Sequence, residues 1–218
     1  TFACHVTRIV VRHDSIPYIF PVSKIGTGNL IVELFEDGGL KLLRGNLGRS
    51  VIKTSAVDPK YWEINAPARV FDSQEAMAAA LKAGIEGDFI AVIRGQGPRA
   101  NGMPELHKLI PALSGLLAKG RRVAIVTDGR MSGASGKVPA AIHLTPEAGA
   151  DGPISRLRDG DIIKLDARAG MLEVQVDAAT LAQREAVKPE VFDTTYGVGR
   201  ELFTRLREGA TPADEGAS

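Results

Sequence analysis

The sequence predicts a mixed α/β domain without the strict β-α-β alternation of a doubly wound sheet. Three observations carry this expectation. Short apolar runs at 89–93 and 122–127 read as buried strands. Between them, Leu106, Leu109, Ile110, Leu113, Leu116 and Leu117 recur at helical spacing. Residues 161–166 and 171–176 alternate apolar and polar side chains across Ala169-Gly170, as a hairpin does.

The elements follow in order. Residues 1–36 stand apart as an extension of unclear structure. Within it, β-prone stretches at 8–12, 16–22 and 30–35 are interrupted by Pro17, Pro21, Gly26 and Gly28. His5 beside Cys4, with His13 further on, matches no common metal-site spacing. From Gly38 the pattern is orderly, and 50–57 and 68–71 read as strands. Asp72 followed by Glu75 resembles a capping box for an Ala-rich helix over 73–83, with acidic side chains satisfying free first-turn amides. A Gly/Pro-rich loop at 95–104 follows the strand at 89–93. A helix over 105–119 comes next, with Pro111 able to shift its start and Gly120 to stop it. The strand at 122–127 leads into a loop at 128–137 and a strand at 140–144. After the hairpin, helices near 178–186 and 199–207 close a domain spanning 37–209. Residues 210–218 are small and polar and are expected to form a disordered tail.

Composition excludes several function classes. The 218 residues are 44% hydrophobic, enough for a real core. Twenty-seven basic residues against 26 acidic give a net charge of +1, and the basic residues are scattered, so nucleic acid is not the expected partner. The single cysteine, Cys4, excludes an internal disulfide framework and an all-cysteine metal or cluster site. No apolar run approaches the ~20 residues that span a bilayer, and the N-terminus lacks a signal-peptide layout. The expectation is a soluble, cytoplasmic protein with no membrane partner.

Two loops carry the candidate chemistry, each leaving the end of an apolar strand, where α/β proteins commonly bind ligands. In the second, Gly129, Gly133 and Gly136 permit unusual backbone conformations, Arg130 and Lys137 add charge, and Ser132 and Ser135 add hydroxyls. Such a loop suits an acidic or phosphorylated small molecule; a tight structural turn accounts for the same residues. It is not a nucleotide P-loop, because position 131 is Met and position 138 is Val. The first loop ends at Pro104-Glu105. Glu105 can favour a helix dipole or act as a hard-metal ligand, since carboxylate oxygen suits Mg2+ or Mn2+. His107 points to another helix face and reads as structural.

The strings GPRANGMPELHKL (97–109) and VAIVTDGRMSGASGKVPAAIHLTPEA (123–148) resemble the C-terminal domain of the family joining dihydroxy-acid dehydratase and 6-phosphogluconate dehydratase. GNLGR (45–49), ANGMPELHKL and SGASGKVPAAIH resemble its phosphogluconate branch, and the similarity covers about 38–209. The resemblance implies a mixed β-barrel flanked by helices, of swivelling β/β/α type. It implies dehydration of 6-phospho-D-gluconate to 2-dehydro-3-deoxy-6-phospho-D-gluconate in the Entner–Doudoroff pathway. Within the family, Glu105 would hold Mg2+ or Mn2+, and Ser132 would be the general base. Arg99, Lys108, Arg130, Gly133, Ser135 and Lys137 would meet substrate, with Arg99, Lys108 or Lys137 on its phosphate. The family's 4Fe-4S cluster would be ligated by an N-terminal domain acting as partner within a homodimer, since the cluster cysteines have no counterpart here. Alternative expectations are a dihydroxy-acid dehydratase of branched-chain amino-acid synthesis, or a non-catalytic binding or assembly module.

Overall fold

A computed structural model describes residues 8–13, 16–21, 39–131, 137–189 and 200–218. The chain divides into two units, Thr1–Leu34 and Phe35–Ser218. In the first, β1 (Arg8–His13) pairs antiparallel with β2 (Ile16–Pro21), from Arg8↔Pro21 to His13↔Ile16. The stretch expected at 30–35 lies outside the described residues.

The second unit is a closed eight-stranded barrel in the order β10-β3-β4-β8-β7-β6-β5-β9, flanked by helices, as the resemblance implied. Its strands are β3 (Leu40–Gly45), β4 (Gly48–Lys53), β5 (Glu63–Phe71), β6 (Phe89–Ile93), β7 (Val123–Thr127), β8 (Ala140–Thr145), β9 (Ile162–Asp166) and β10 (Met171–Val174). β5, β6, β7 and β8 run parallel to one another, so the carboxyl ends of these four strands gather at one rim. Antiparallel pairs β3–β4, β4–β8, β5–β9 and β9–β10 and the parallel pair β10–β3 complete the closure.

Strand alternation divides the apolar side chains into two cores. Ile90, Val92, Ala124 and Val126 point into the barrel with Leu43, Ile52, Leu144 and Leu165. Phe89, Ala91, Ile93, Val123 and Ile125 point outward, under α1 (Gln74–Ala83) and α3 (Ile110–Ala118), where they meet Met77, Leu113 and Leu117. Strands covered on both faces are why β6 and β7 read as continuous apolar runs. Among the described residues no helix is long and apolar enough to cross a membrane.

Several elements differ from expectation. β3 was not expected; its Leu40 and Leu42 are exposed and blur any alternation. β5 begins five residues before the expected 68, and Pro67 lies within it. Pro67 is tolerated because it ends the pairing with β9, and Ala68 begins the pairing with β6. The α1 cap is Ser73, whose hydroxyl accepts from the Ala76 amide; Asp72 instead accepts from Arg94 Nε at 2.6 Å. α3 starts at Ile110, not at 105, because Glu105 is drawn into a β-bridge and Pro111 favours a first turn. The helices expected at 178–186 and 199–207 are α4 (Ala178–Gln183) and α5 (Arg200–Gly209). A four-residue helix within the first loop, α2 (Pro98–Asn101), was not foreseen.

Residues 210–218, expected as a disordered tail, take a defined course in this structure. Ala210 is buried, Thr211 and Ser218 are bonded to each other, and Asp214 pairs with Arg49 of β4. Those contacts stem from α5 ending close to the barrel, which the small polar composition did not reveal.

Candidate functional site

The two chemistry-bearing loops leave β6 and β7, which are adjacent and parallel, so both emerge at the same rim. Backbone pairing then holds them side by side. Glu105 and Arg130 form a parallel β-bridge, and the Leu106 amide donates to the Arg130 carbonyl. The Arg130 side chain crosses to the first loop, where Nε donates to the Met103 carbonyl at 2.7 Å and a terminal nitrogen lies 3.8 Å from Glu105 Oε2. The Glu105 side chain is 26% exposed and that of Arg130 is 54% exposed. A partly open carboxylate beside a guanidinium can bind polar or charged groups of a small molecule without full desolvation.

Two buried carboxylates fix these loops, and neither was singled out from the sequence. Asp128, 0% exposed, accepts from the Gly95, Gln96 and Ala148 amides at 3.1, 2.9 and 2.9 Å. One side chain thereby ties the loops that follow β6, β7 and β8. Burial pushes its carboxyl above the ordinary range, against the pull of those amide donors. Glu147, 5% exposed, accepts from the Arg99 and Ala100 amides at the start of α2. Burial raises its carboxyl too; the two amides oppose that, and the nearby Asp128 charge adds to it. The glycines fit this packing. A Cβ on Gly129 would stand 2.7 Å from Gln96 Cβ, and one on Gly97 would collide with the Glu147 carboxylate. The available signal was position: each acid sits at or just after the end of an apolar strand, where an unpaired acid would be costly.

The other expected site residues are distributed as follows. Ser132, Gly133 and Ser135 lie outside the described residues. Arg99 is not grouped with Glu105 by any bond: its Nε donates to the Ala210 carbonyl at 3.0 Å. It lines a cavity of about 440 Å³ with Lys188, Ala148 and Asp151. Lys108, in a short 3-10 turn, and Lys137 are both exposed. Among the described residues, no three His, Cys, Asp or Glu side chains cluster as a metal site, and Glu105 is in no such group.

His143 of β8 completes the rim. Its amide donates to the Gly129 carbonyl at 2.9 Å, its side chain is half-buried, and its backbone is left-handed with φ of 56°. Burial, and secondarily the charge of Arg130, holds its imidazole below the ordinary histidine range.

Residues 32–217 match the family described as dihydroxy-acid/6-phosphogluconate dehydratase C-terminal. A phosphogluconate dehydratase of Rhizobium meliloti (strain 1021) is 56% identical over 182 residues, 83% of this chain and 30% of that relative. The phosphogluconate dehydratase of Escherichia coli (strain K12) is 53% identical over 182 residues, with the same shares covered. A dihydroxy-acid dehydratase of Ignicoccus hospitalis is 40% identical over 187 residues, 83% of this chain and 33% of the relative. The chain thus spans about a third of the length of the curated relatives it matches.

Proposed function

The chain belongs to the dihydroxy-acid/6-phosphogluconate dehydratase C-terminal family, and from that premise we propose that it forms one half of a phosphogluconate dehydratase site. The reaction is removal of water from 6-phospho-D-gluconate to give 2-dehydro-3-deoxy-6-phospho-D-gluconate. The observation that carries this reading is the juxtaposition of Glu105 and Arg130 at the rim, in a chain 53–56% identical to phosphogluconate dehydratases. The 40% match to a dihydroxy-acid dehydratase is the weaker one.

The roles follow from the chemistry of a 2,3-dihydroxy acid. Ser132, as its alkoxide, takes the C2 proton; the C3 hydroxyl leaves and is released with that proton as water, and the enol so formed across C2 and C3 tautomerises to the 2-keto product. A free serine hydroxyl is too weak an acid for that task, so it needs nearby positive charge and amide donors; Arg130, two positions away in the sequence, is the candidate for the charge. Glu105 offers one carboxylate to a divalent metal such as Mg2+ or Mn2+. That metal, when bound, stabilises negative charge on substrate oxygens. Of the cations expected on the phosphate, Lys108 and Lys137 keep exposed side chains, whereas Arg99 is engaged by Ala210. A 4Fe-4S cluster does not fit this chain, which has Cys4 as its one thiol where a cluster needs several. We assign the cluster ligands to the part of the relatives that this chain does not span, and that cluster-bearing domain to the role of partner.

The test is a dehydratase assay on the enzyme containing both this chain and the preceding domain, with 6-phospho-D-gluconate and a branched 2,3-dihydroxy acid side by side. Preferential turnover of the phosphorylated acid is expected. Preference for the branched acid would favour the dihydroxy-acid branch, and turnover of neither would favour a non-catalytic module.

A further inference from the structure

The pairing of β8 with β4 contains an irregularity that centres on His143. Arg49 pairs with Thr145 and Val51 with Ile142, so two steps on β4 face three on β8. β8 therefore carries one extra residue, and the left-handed backbone lies at His143. A bulge of this kind interrupts alternation and re-aims a side chain. The neighbours bear that out. Ala141 and Leu144 both point into the barrel core, whereas strict alternation from Ala141 would have sent position 143 inward instead. Ile142 packs against the outer core.

The backbone groups of His143 are occupied. Its amide donates to the Gly129 carbonyl at 2.9 Å, and its carbonyl accepts from Thr145 Oγ1 at 3.2 Å. Its imidazole makes no hydrogen bond to another described residue. His143 is half-buried, and its amide bond to Gly129 sets it against the residue that precedes Arg130, which in turn neighbours Glu105. A left-handed conformation at a non-glycine residue is uncommon, and such positions concentrate at functional sites. Here the bulge brings a third polar side chain, from a third strand, to the rim that Glu105 and Arg130 occupy.

We propose that His143 is a further substrate-contacting residue of this site, its imidazole accepting a hydrogen bond from a hydroxyl of the polyhydroxy acid. The proposal rests on the dehydratase reading of the same rim. A neutral imidazole keeps one unprotonated nitrogen as an acceptor, and the burial and charge around His143 favour the neutral form. Arg130 and Glu105 would meet charged groups, leaving the hydroxyl to His143.

The test uses His143→Asn and His143→Gly in the enzyme containing the preceding domain, because Asn and Gly both accept a left-handed backbone. Both should keep a near-native melting temperature; His143→Gly should lose about 10- to 100-fold in kcat/KM, and His143→Asn, whose amide oxygen still accepts, should lose less. Added imidazole should restore several-fold of the lost turnover to the His143→Gly variant and none to Glu105→Gln. Turnover of His143→Gly within twofold of the unsubstituted enzyme would overturn the proposal, as would a His143→Gly variant that is impaired but unresponsive to imidazole. Either result alongside an impaired Glu105→Gln variant would remove the histidine and leave the dehydratase reading standing. Absence of turnover in the unsubstituted enzyme would remove both.

Discussion

At the scale of single residues, the rim is organised by two buried acids, Asp128 and Glu147, that accept from backbone amides of its loops. Asp128 satisfies three buried amides from two loops, so Asp128→Ala leaves Gly95, Gln96 and Ala148 without their acceptor. Each orphaned buried amide costs about 1–3 kcal/mol. Denaturant unfolding should show a loss at or above that range, and an unchanged midpoint would contradict the clamp. Its pH dependence has a definite sign. An acid whose folded pKa lies above the ordinary 3.8 binds its proton more tightly when folded. Its contribution is full below that value and declines as pH rises through the folded pKa. The stability of the native chain minus that of Asp128→Asn should therefore fall as pH rises above about 4; a rise would refute the assignment. Glu105 has the opposite character, partly open and facing a guanidinium. Glu105→Gln should weaken the response of turnover to added Mg2+ or Mn2+ in the complete enzyme, and an unchanged metal titration would remove the ligand role. Glu105 and Arg130 were legible in the sequence because their loops are unusual. Asp128 and Glu147 were overlooked because their partners are backbone amides distant in sequence, which no spacing rule reveals.

At the scale of elements, legibility followed burial on both faces. β6 and β7 are covered inside and outside, so their apolar runs are continuous and their positions could be read directly. The β9–β10 hairpin alternates cleanly, with Ile163, Leu165, Leu172 and Val174 inward. β3 escaped notice because it exposes two leucines, and the first half of β5 because Pro67 argues against a strand. The sequence marks the α1 start, but points to Asp72 as its cap, one residue before the actual one. Ser73, not Asp72, accepts the first-turn amide, while Asp72 holds the largely buried Arg94. Ser73→Ala should cost about 1 kcal/mol in thermal or denaturant unfolding. Glu75→Ala should cost less than half as much, and equal losses would restore the capping-box reading.

At the scale of the whole domain, closure of the barrel creates the rim. Four parallel strands end together, and three of their loops are joined by Asp128. Barrel closure is not legible from patterning alone, since the pairs β10–β3 and β4–β8 join residues far apart in the sequence, such as Met171 with Arg44 and Ile52 with Ala141; the family resemblance implies it. The segment after α5 belongs to the same unit through Arg49–Asp214 and the Arg99–Ala210 bond. The central claim is that the paired loops after β6 and β7 perform the dehydration. Its most direct test is the turnover of 6-phospho-D-gluconate by Ser132→Ala in the enzyme that includes the preceding domain. The account predicts a loss of at least about 100-fold with an unchanged melting temperature; turnover near that of the unsubstituted enzyme would contradict it.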